Sequence, residues 1–175
     1  PLVQAHVEVM PFDSVLVWGR QVGKAQAVVA QLQQQGIAAS AATDLEQTLA
    51  QADVVAAATT ATEPFIRTDW VRPGTHLGLI GAFTAQMAEA EPALMSQAQV
   101  FADSRSAVLE KGGEVFQAIQ QGLMAPTAIQ AELAELAAQP EGHGRRDAQD
   151  ITVFKSVGFA SLDLIAAELV YNAKA

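Results

Sequence analysis

The chain has 175 residues, half of them hydrophobic and 17% charged, enough to bury one sizeable core and far from the composition of a disordered chain. A formal charge of -9 and a pI near 4.6 argue against nucleic acid as a partner, because that affinity comes largely from Lys and Arg displacing counterions. The absence of cysteine excludes disulfides, zinc-thiolate sites and thiol nucleophiles.

No apolar run reaches the roughly 18 residues of a membrane span. The opening Pro1-Leu2-Val3-Gln4-Ala5-His6 lacks the basic and apolar regions of a signal peptide, so a cytosolic location is expected. Apolar residues are spread evenly, which predicts one main domain.

Ser14-Val15-Leu16-Val17-Trp18 is a short apolar run stopping at Gly19-Arg20, the pattern of a buried strand that ends in a loop. A helix should follow, because Ala25, Val28, Val29 and Leu32 recur at i, i+3, i+4 and i+7, with Gly36 as its left-handed stop. Residues 37 to 42 then form a small-residue strand, and Thr43-Asp44-Leu45-Glu46 predicts a capping box on Thr43 and Glu46. Asp53 to Ala58 is the next strand, running into the polar loop Thr59-Thr60-Ala61-Thr62-Glu63-Pro64.

Pro73-Gly74 turns the chain into a strand over Thr75 to Gly81, a helical stretch follows near Glu91 to Gln97, and Val100 to Asp103 is again a strand. Residues 112 to 143 are expected to be helical with turns at Gly122 and Pro126. Thr127 should cap a helix carrying Ile129, Leu133 and Leu136. After the loop at Pro140 to Gly144, Ile151 to Lys155 has strand character, and Leu162, Ile165, Ala166 and Leu169 mark a closing helix ending near Tyr171. Strands alternating with helices at this spacing predict a doubly wound α/β fold, a parallel sheet with helices on both faces.

In such a sheet ligands bind beyond the carboxyl ends of the strands. Arg20 stands where the second strand of a dinucleotide-binding unit would end, where an acidic residue takes the ribose hydroxyls of NAD and an arginine can pair with the extra phosphate of NADP. A solvated surface arginine is the competing explanation. Thr59 and Thr60 could line the nicotinamide side of a crevice or simply form a turn, and Gly81 could admit a cofactor or serve only as a turn residue. His6, His76 and His143 are scattered without ligand spacing, so no metal is expected. Ser156 has no nucleophile-elbow context, and the acidic residues fall mostly on expected helix surfaces.

Four segments together resemble the ornithine cyclodeaminase/mu-crystallin family: Val15-Leu16-Val17-Trp18-Gly19-Arg20; Ala52-Asp53-Val54-Val55 through Ala58-Thr59-Thr60-Ala61-Thr62-Glu63-Pro64; Pro73-Gly74-Thr75-His76; and Ile151-Thr152-Val153-Phe154-Lys155-Ser156-Val157-Gly158. The resemblance implies a Rossmann-like NAD(P)-binding domain over residues 1–150. Residues 151–175 would be a C-terminal segment whose helix returns toward a substrate domain. It implies NADPH as cofactor, with NADH possible. Gly19, Arg20 and Lys24 would lie around the adenosine ribose and its phosphate, Ala58 and Thr59 near the inner cofactor, and Ile80, Gly81 and Val157 by the nicotinamide. Ser156 and Glu110 would approach substrate.

The chain departs from the family pattern in two places. The family's Gly-x-Gly-x-Gln-Ala loop is matched only by Val3-Gln4-Ala5, so the first strand, the glycine loop and the preceding substrate domain with the catalytic residues are expected to lie outside this chain. Weak cofactor affinity follows for the chain by itself, and a homodimer for the full-length protein. Cyclodeaminases carry an aspartate where this chain has Phe83 in Gly81-Ala82-Phe83-Thr84. The resemblance therefore favours reduction of a cyclic imino acid, pyrroline-2-carboxylate or piperideine-2-carboxylate, to proline or pipecolate. A mu-crystallin-type ligand-binding protein and a cyclodeaminase or amino-acid dehydrogenase are the alternatives.

Overall fold

A computed structural model describes residues 1–173, apart from the side chain of Pro140. The chain divides into two compact units, Pro1–Ala52 and Asp53–Ala175.

The first unit contains α1 (Leu2–Val9), β1 (Val15–Val17), α2 (Val22–Gln34), β2 (Ala39–Ala41) and α3 (Leu45–Gln51). β1 and β2 pair in parallel, with Val15 opposite Ala39. The buried stripe of α2 is Ala25, Val29 and Leu32, whereas Val28 is 42% exposed. The stripe is thus one residue narrower than the apolar pattern suggests. Gly36 ends the helix at φ 78°, a backbone state in which a side chain would clash, as expected. At α3 the cap is Asp44, not Thr43: its Oδ1 accepts the Gln47 N–H at 3.0 Å. With the N-cap one residue later, the carboxylate takes the amide of Gln47 in place of the Glu46 amide that a Thr43 cap would have taken.

The second unit contains β3 (Val54–Ala57), β4 (His76–Leu79), α4 (Leu94–Gln97), β5 (Ala98–Ala102), α5 (Arg105–Lys111), α6 (Gly113–Gln120), β6 (Ile129–Glu132), α7 (Leu133–Ala138), β7 (Ile151–Lys155) and α8 (Ala160–Asn172). The strands form one sheet in the order β3-β4-β7-β5-β6, every pair parallel. Register puts Leu77, Leu79, Val100, Val153 and Lys155 on one face, all buried. Each such apolar side chain contributes roughly 1.5–3 kcal/mol by leaving water. Lys155 meets Glu114 of α6 there, which locates that helix on this face.

The opposite face carries His76, Phe101, Thr152 and Phe154, and with Leu136 of α7 these line a cavity of about 280 Å³. The path from β6 back to β7 reverses the outward direction of β4, β5 and β6, so a right-handed crossover must place α7 on the other side. Helices therefore cover both faces of a parallel sheet, the arrangement of a Rossmann-like α/β fold.

One expectation needs correction here. Residues 129–132 are a strand, not the start of a helix capped by Thr127. Ile129 and Ala131 are buried in alternation and pair with β5, a period of two that outweighs the helical spacing of Leu133 and Leu136. The capping box belongs to Glu132 and Glu135 at the start of α7, with Glu132 N donating to Glu135 Oε2 at 2.8 Å. The compact units divide at Ala52 and Asp53, and residue 150 lies just before β7, which pairs with β4 on one side and β5 on the other. α8 alone follows the sheet, and the last two residues of the 151–175 segment lie outside the described residues.

Candidate functional site

Because all five strands of the larger sheet run the same way, their carboxyl ends open on one edge. Ala58 and Thr59 follow β3, Ile80 and Gly81 follow β4, and Ser156 and Val157 follow β7. These three strands are neighbours in the sheet, so the structure brings together the expected site residues of this unit, with the exception of Glu110. That residue is exposed on α5, and no hydrogen bond or ion pair among the described residues ties it to the Ser156 loop.

Buried carboxylates hold the loops. Glu89, fully buried, accepts the Thr59 N–H on Oε1 at 2.5 Å and the Gly81 N–H on Oε2 at 2.7 Å. Gly81 has no room for a side chain, since a Cβ would overlap the backbone of Thr59 and the Glu89 carboxylate. Its glycine is thus explained by contact between two loops of the protein. Thr59 also accepts the Ala61 N–H on its hydroxyl at 3.3 Å.

Asp103, at the end of β5, performs the same service for the loop after β7. Its Oδ2 accepts from Ser156 Oγ at 2.8 Å, Val157 N at 2.9 Å and Gly158 N at 2.7 Å, while Oδ1 accepts from Ser104 N at 2.7 Å. Charge-assisted bonds of this kind are about twice as strong as neutral ones. The Ser156 hydroxyl donates its hydrogen bond to Asp103, and only its lone pairs remain to receive a donor.

Beneath this edge lies a buried ion pair, Lys155 Nζ to Glu114 Oε1 at 3.2 Å, with both side chains fully enclosed. Glu114 Oε2 has no partner. Burial pushes the Glu114 carboxyl above its ordinary range, the Lys155 ammonium draws it part of the way back, and the nearby Glu89 charge adds to the rise. The expectation that acidic residues sit mostly on helix surfaces therefore misses Glu89, Asp103 and Glu114. One signal was available: a lysine closing the apolar strand Ile151-Thr152-Val153-Phe154 needs a buried counter-charge.

In the first unit, Gly19 and Arg20 follow β1, and Lys24 lies in the first turn of α2. Arg20 and Lys24 are exposed, and neither makes an ion pair or side-chain hydrogen bond among the described residues. The α2 N-terminus has no side-chain cap and no acidic residue in its first turn, and a Cβ at Gly19 would meet nothing within 4 Å. Two cations beside uncapped helix amides have the donor chemistry that a phosphate requires, so these residues fit the phosphate-bearing end of a dinucleotide.

Among the described residues no three His, Asp or Glu side chains converge as metal ligands, and no helix is long and apolar enough to cross a membrane. His76 Nδ1 lies 2.8 Å from Thr152 Oγ1 and His6 Nδ1 lies 2.8 Å from the Leu2 carbonyl.

Similar proteins share both the sequence and this fold. The Delta(1)-pyrroline-2-carboxylate reductase of Paracoccus denitrificans is 41% identical over 172 residues, covering 97% of this chain and 54% of that protein. The ketimine reductase mu-crystallin of Rattus norvegicus is 33% identical over 169 residues, covering 97% of this chain and 50% of its own length. The structure of Thermococcus litoralis Delta(1)-pyrroline-2-carboxylate reductase in complex with NADH and L-proline superposes with a TM-score of 0.92 at 29% identity, covering 98% of this chain and 53% of that one. The chain thus spans about half the length of the curated relatives it matches. The family model for the ornithine cyclodeaminase/mu-crystallin family matches residues 2–175, and the chain belongs to that family.

Proposed function

We propose that this chain is the dinucleotide-binding part of a cytosolic, homodimeric NAD(P)H-dependent reductase that converts pyrroline-2-carboxylate or piperideine-2-carboxylate to proline or pipecolate. The observation that carries the reading is the edge formed by the exits of β3, β4 and β7, held by two buried carboxylates, in a chain 41% identical to a pyrroline-2-carboxylate reductase. On this reading Ala58 and Thr59 lie near the inner part of the cofactor, and Ile80, Gly81 and Val157 line its nicotinamide end. The N–H groups of Thr59 and Gly81 are engaged by Glu89, whereas the Thr59 hydroxyl, which accepts from Ala61 N–H, still has its proton to offer a ligand.

When bound, the reduced cofactor supplies hydride to the carbon of the C=N bond. The protein's own task on this edge is to orient the cofactor and exclude water. Ser156 belongs to the substrate side, Glu110 would reach substrate only from its separate place on α5, and the catalytic side chains belong to the rest of the full-length protein. Phe83, 49% exposed just past Gly81, offers no carboxylate for amine chemistry and favours reduction over cyclodeamination. Leu164, Ile165, Leu169, Val170 and Tyr171 of α8 are all exposed, and we read them as the face that the remainder of the protein covers. Full-length protein should consume NAD(P)H when given pyrroline-2-carboxylate, and lack of turnover with every cyclic imino acid would overturn the proposal.

Arg20 and Lys24, exposed and without an ion-pair partner among the described residues, favour NADPH over NADH. Arg20→Asp should weaken NADPH binding by roughly ten- to a hundredfold, the value of a charge-assisted phosphate contact, and shift preference toward NADH. Fluorescence titration with both cofactors measures this, and an unchanged ratio of affinities would remove Arg20 from the site.

A further inference from the structure

The segment from Met87 to Glu91 runs as a splint along the loop that follows β3. Ala88 N donates to Ala61 O at 3.1 Å, the Glu89 carbonyl accepts from Phe65 N at 3.1 Å and Ile66 N at 2.9 Å, and Glu91 N donates to Ile66 O at 2.9 Å. Ala88, Glu89 and Ala90 are fully buried. The Glu89 side chain leaves this splint and grips two loops at once, one oxygen on Thr59 N–H and the other on Gly81 N–H. No other described carboxylate bridges the exits of β3 and β4.

An ionised carboxylate only accepts, so both bonds form without conflict, whereas an amide in its place would turn a donor toward one of the two N–H groups. The missing side chain at Gly81 lets the loops close to van der Waals contact, and the carboxylate keeps them there.

We propose that Glu89 is a positioning residue of the dinucleotide site, fixing the gap between the Ala58-Thr59 and Ile80-Gly81 loops at the width that receives the cofactor. The proposal rests on the dinucleotide reading given above. Glu89 does not touch the cofactor; it acts through the two backbone amides and through Gly81.

The test uses full-length protein and NAD(P)H as the probe. Glu89→Gln keeps the volume and loses one of the two bonds. Its Kd and KM for NAD(P)H should rise about tenfold, as expected for one charge-assisted bond, with kcat at saturating cofactor within about threefold. Amide hydrogen exchange should speed up at residues 59–61 and 80–82 and remain unchanged in β5 and β6. Glu89→Asp keeps the charge and should fall between wild type and Glu89→Gln, and it carries the test if the glutamine variant does not fold.

An unchanged Kd in a variant whose exchange has accelerated would reduce Glu89 to a structural role and overturn the proposal, as would a fall in kcat at constant KM. Failure of the wild-type protein to bind NAD(P)H would instead overturn the dinucleotide reading itself.

Discussion

Lys155→Ala in the full-length protein is expected to lower the free energy of unfolding by about 3–5 kcal/mol, the usual consequence of leaving one member of a buried ion pair without its partner. Lys155 and Glu114 are both fully enclosed, and Glu114 Oε2 already lacks a partner. Without the ammonium, the carboxylate keeps a backbone hydrogen bond against its burial and the nearby Glu89 charge, the two causes that already raise its proton affinity.

The pH dependence follows from that direction. Because the Glu114 carboxyl in the folded protein holds its proton more tightly than in the unfolded chain, the native state gains relative stability below the ordinary carboxylate range. It loses that stability as pH rises through the raised value. Removing Lys155 raises the value further and widens the window, so the deficit of Lys155→Ala should be largest near pH 8 and shrink towards about pH 5. Urea unfolding at both pH values measures it. The double variant Lys155→Met, Glu114→Gln should recover most of the loss, because a neutral, well-filled pair leaves no buried charge. A loss under about 1 kcal/mol for Lys155→Ala, the size of an exposed pair, would contradict the enclosed geometry.

Gly81→Ala should cost about 3 kcal/mol of stability, at the upper end of overpacking effects. A methyl group has no rotamer to escape into, and the atoms it would strike are the backbone of Thr59 and the Glu89 carboxylate. Relief requires the β3 and β4 exits to part, so cofactor affinity should fall together with stability. Gly19→Ala provides the control: nothing lies within 4 Å of the added atom, and its thermal midpoint should reflect a change within about 0.5 kcal/mol. Equal behaviour of the two variants would mean that the loops are not in contact at Gly81.

The strands that carry the site were legible in the sequence because each is a short apolar run followed by a polar or glycine-bearing loop. Ile151 to Lys155 and Val54 to Ala57 stand where that pattern puts them. Ile129 to Glu132 was not, because its four residues sit between Thr127 and the helix-spaced Leu133 and Leu136, and only pairing with Val100 decides the matter.

The carboxylates are the more instructive case. Glu89, Asp103 and Glu114 carry no local signal, since their burial arises from groups 30, 53 and 41 residues away in the chain: Thr59 N, Ser156 Oγ and Lys155 Nζ. Gly81 was visible as a glycine after a strand, but whether it admits a cofactor or a neighbouring loop depends on where Thr59 and Glu89 lie, which only the folded chain specifies.

The central claim is hydride delivery from a cofactor held on this edge to a cyclic imino acid. It is tested most directly by giving the full-length protein pyrroline-2-carboxylate and NADPH deuterated at the reactive nicotinamide carbon. The account predicts proline carrying the deuterium at Cα, formed in step with cofactor oxidation. Cofactor oxidation without label in proline, or no reaction with any cyclic imino acid, would contradict it.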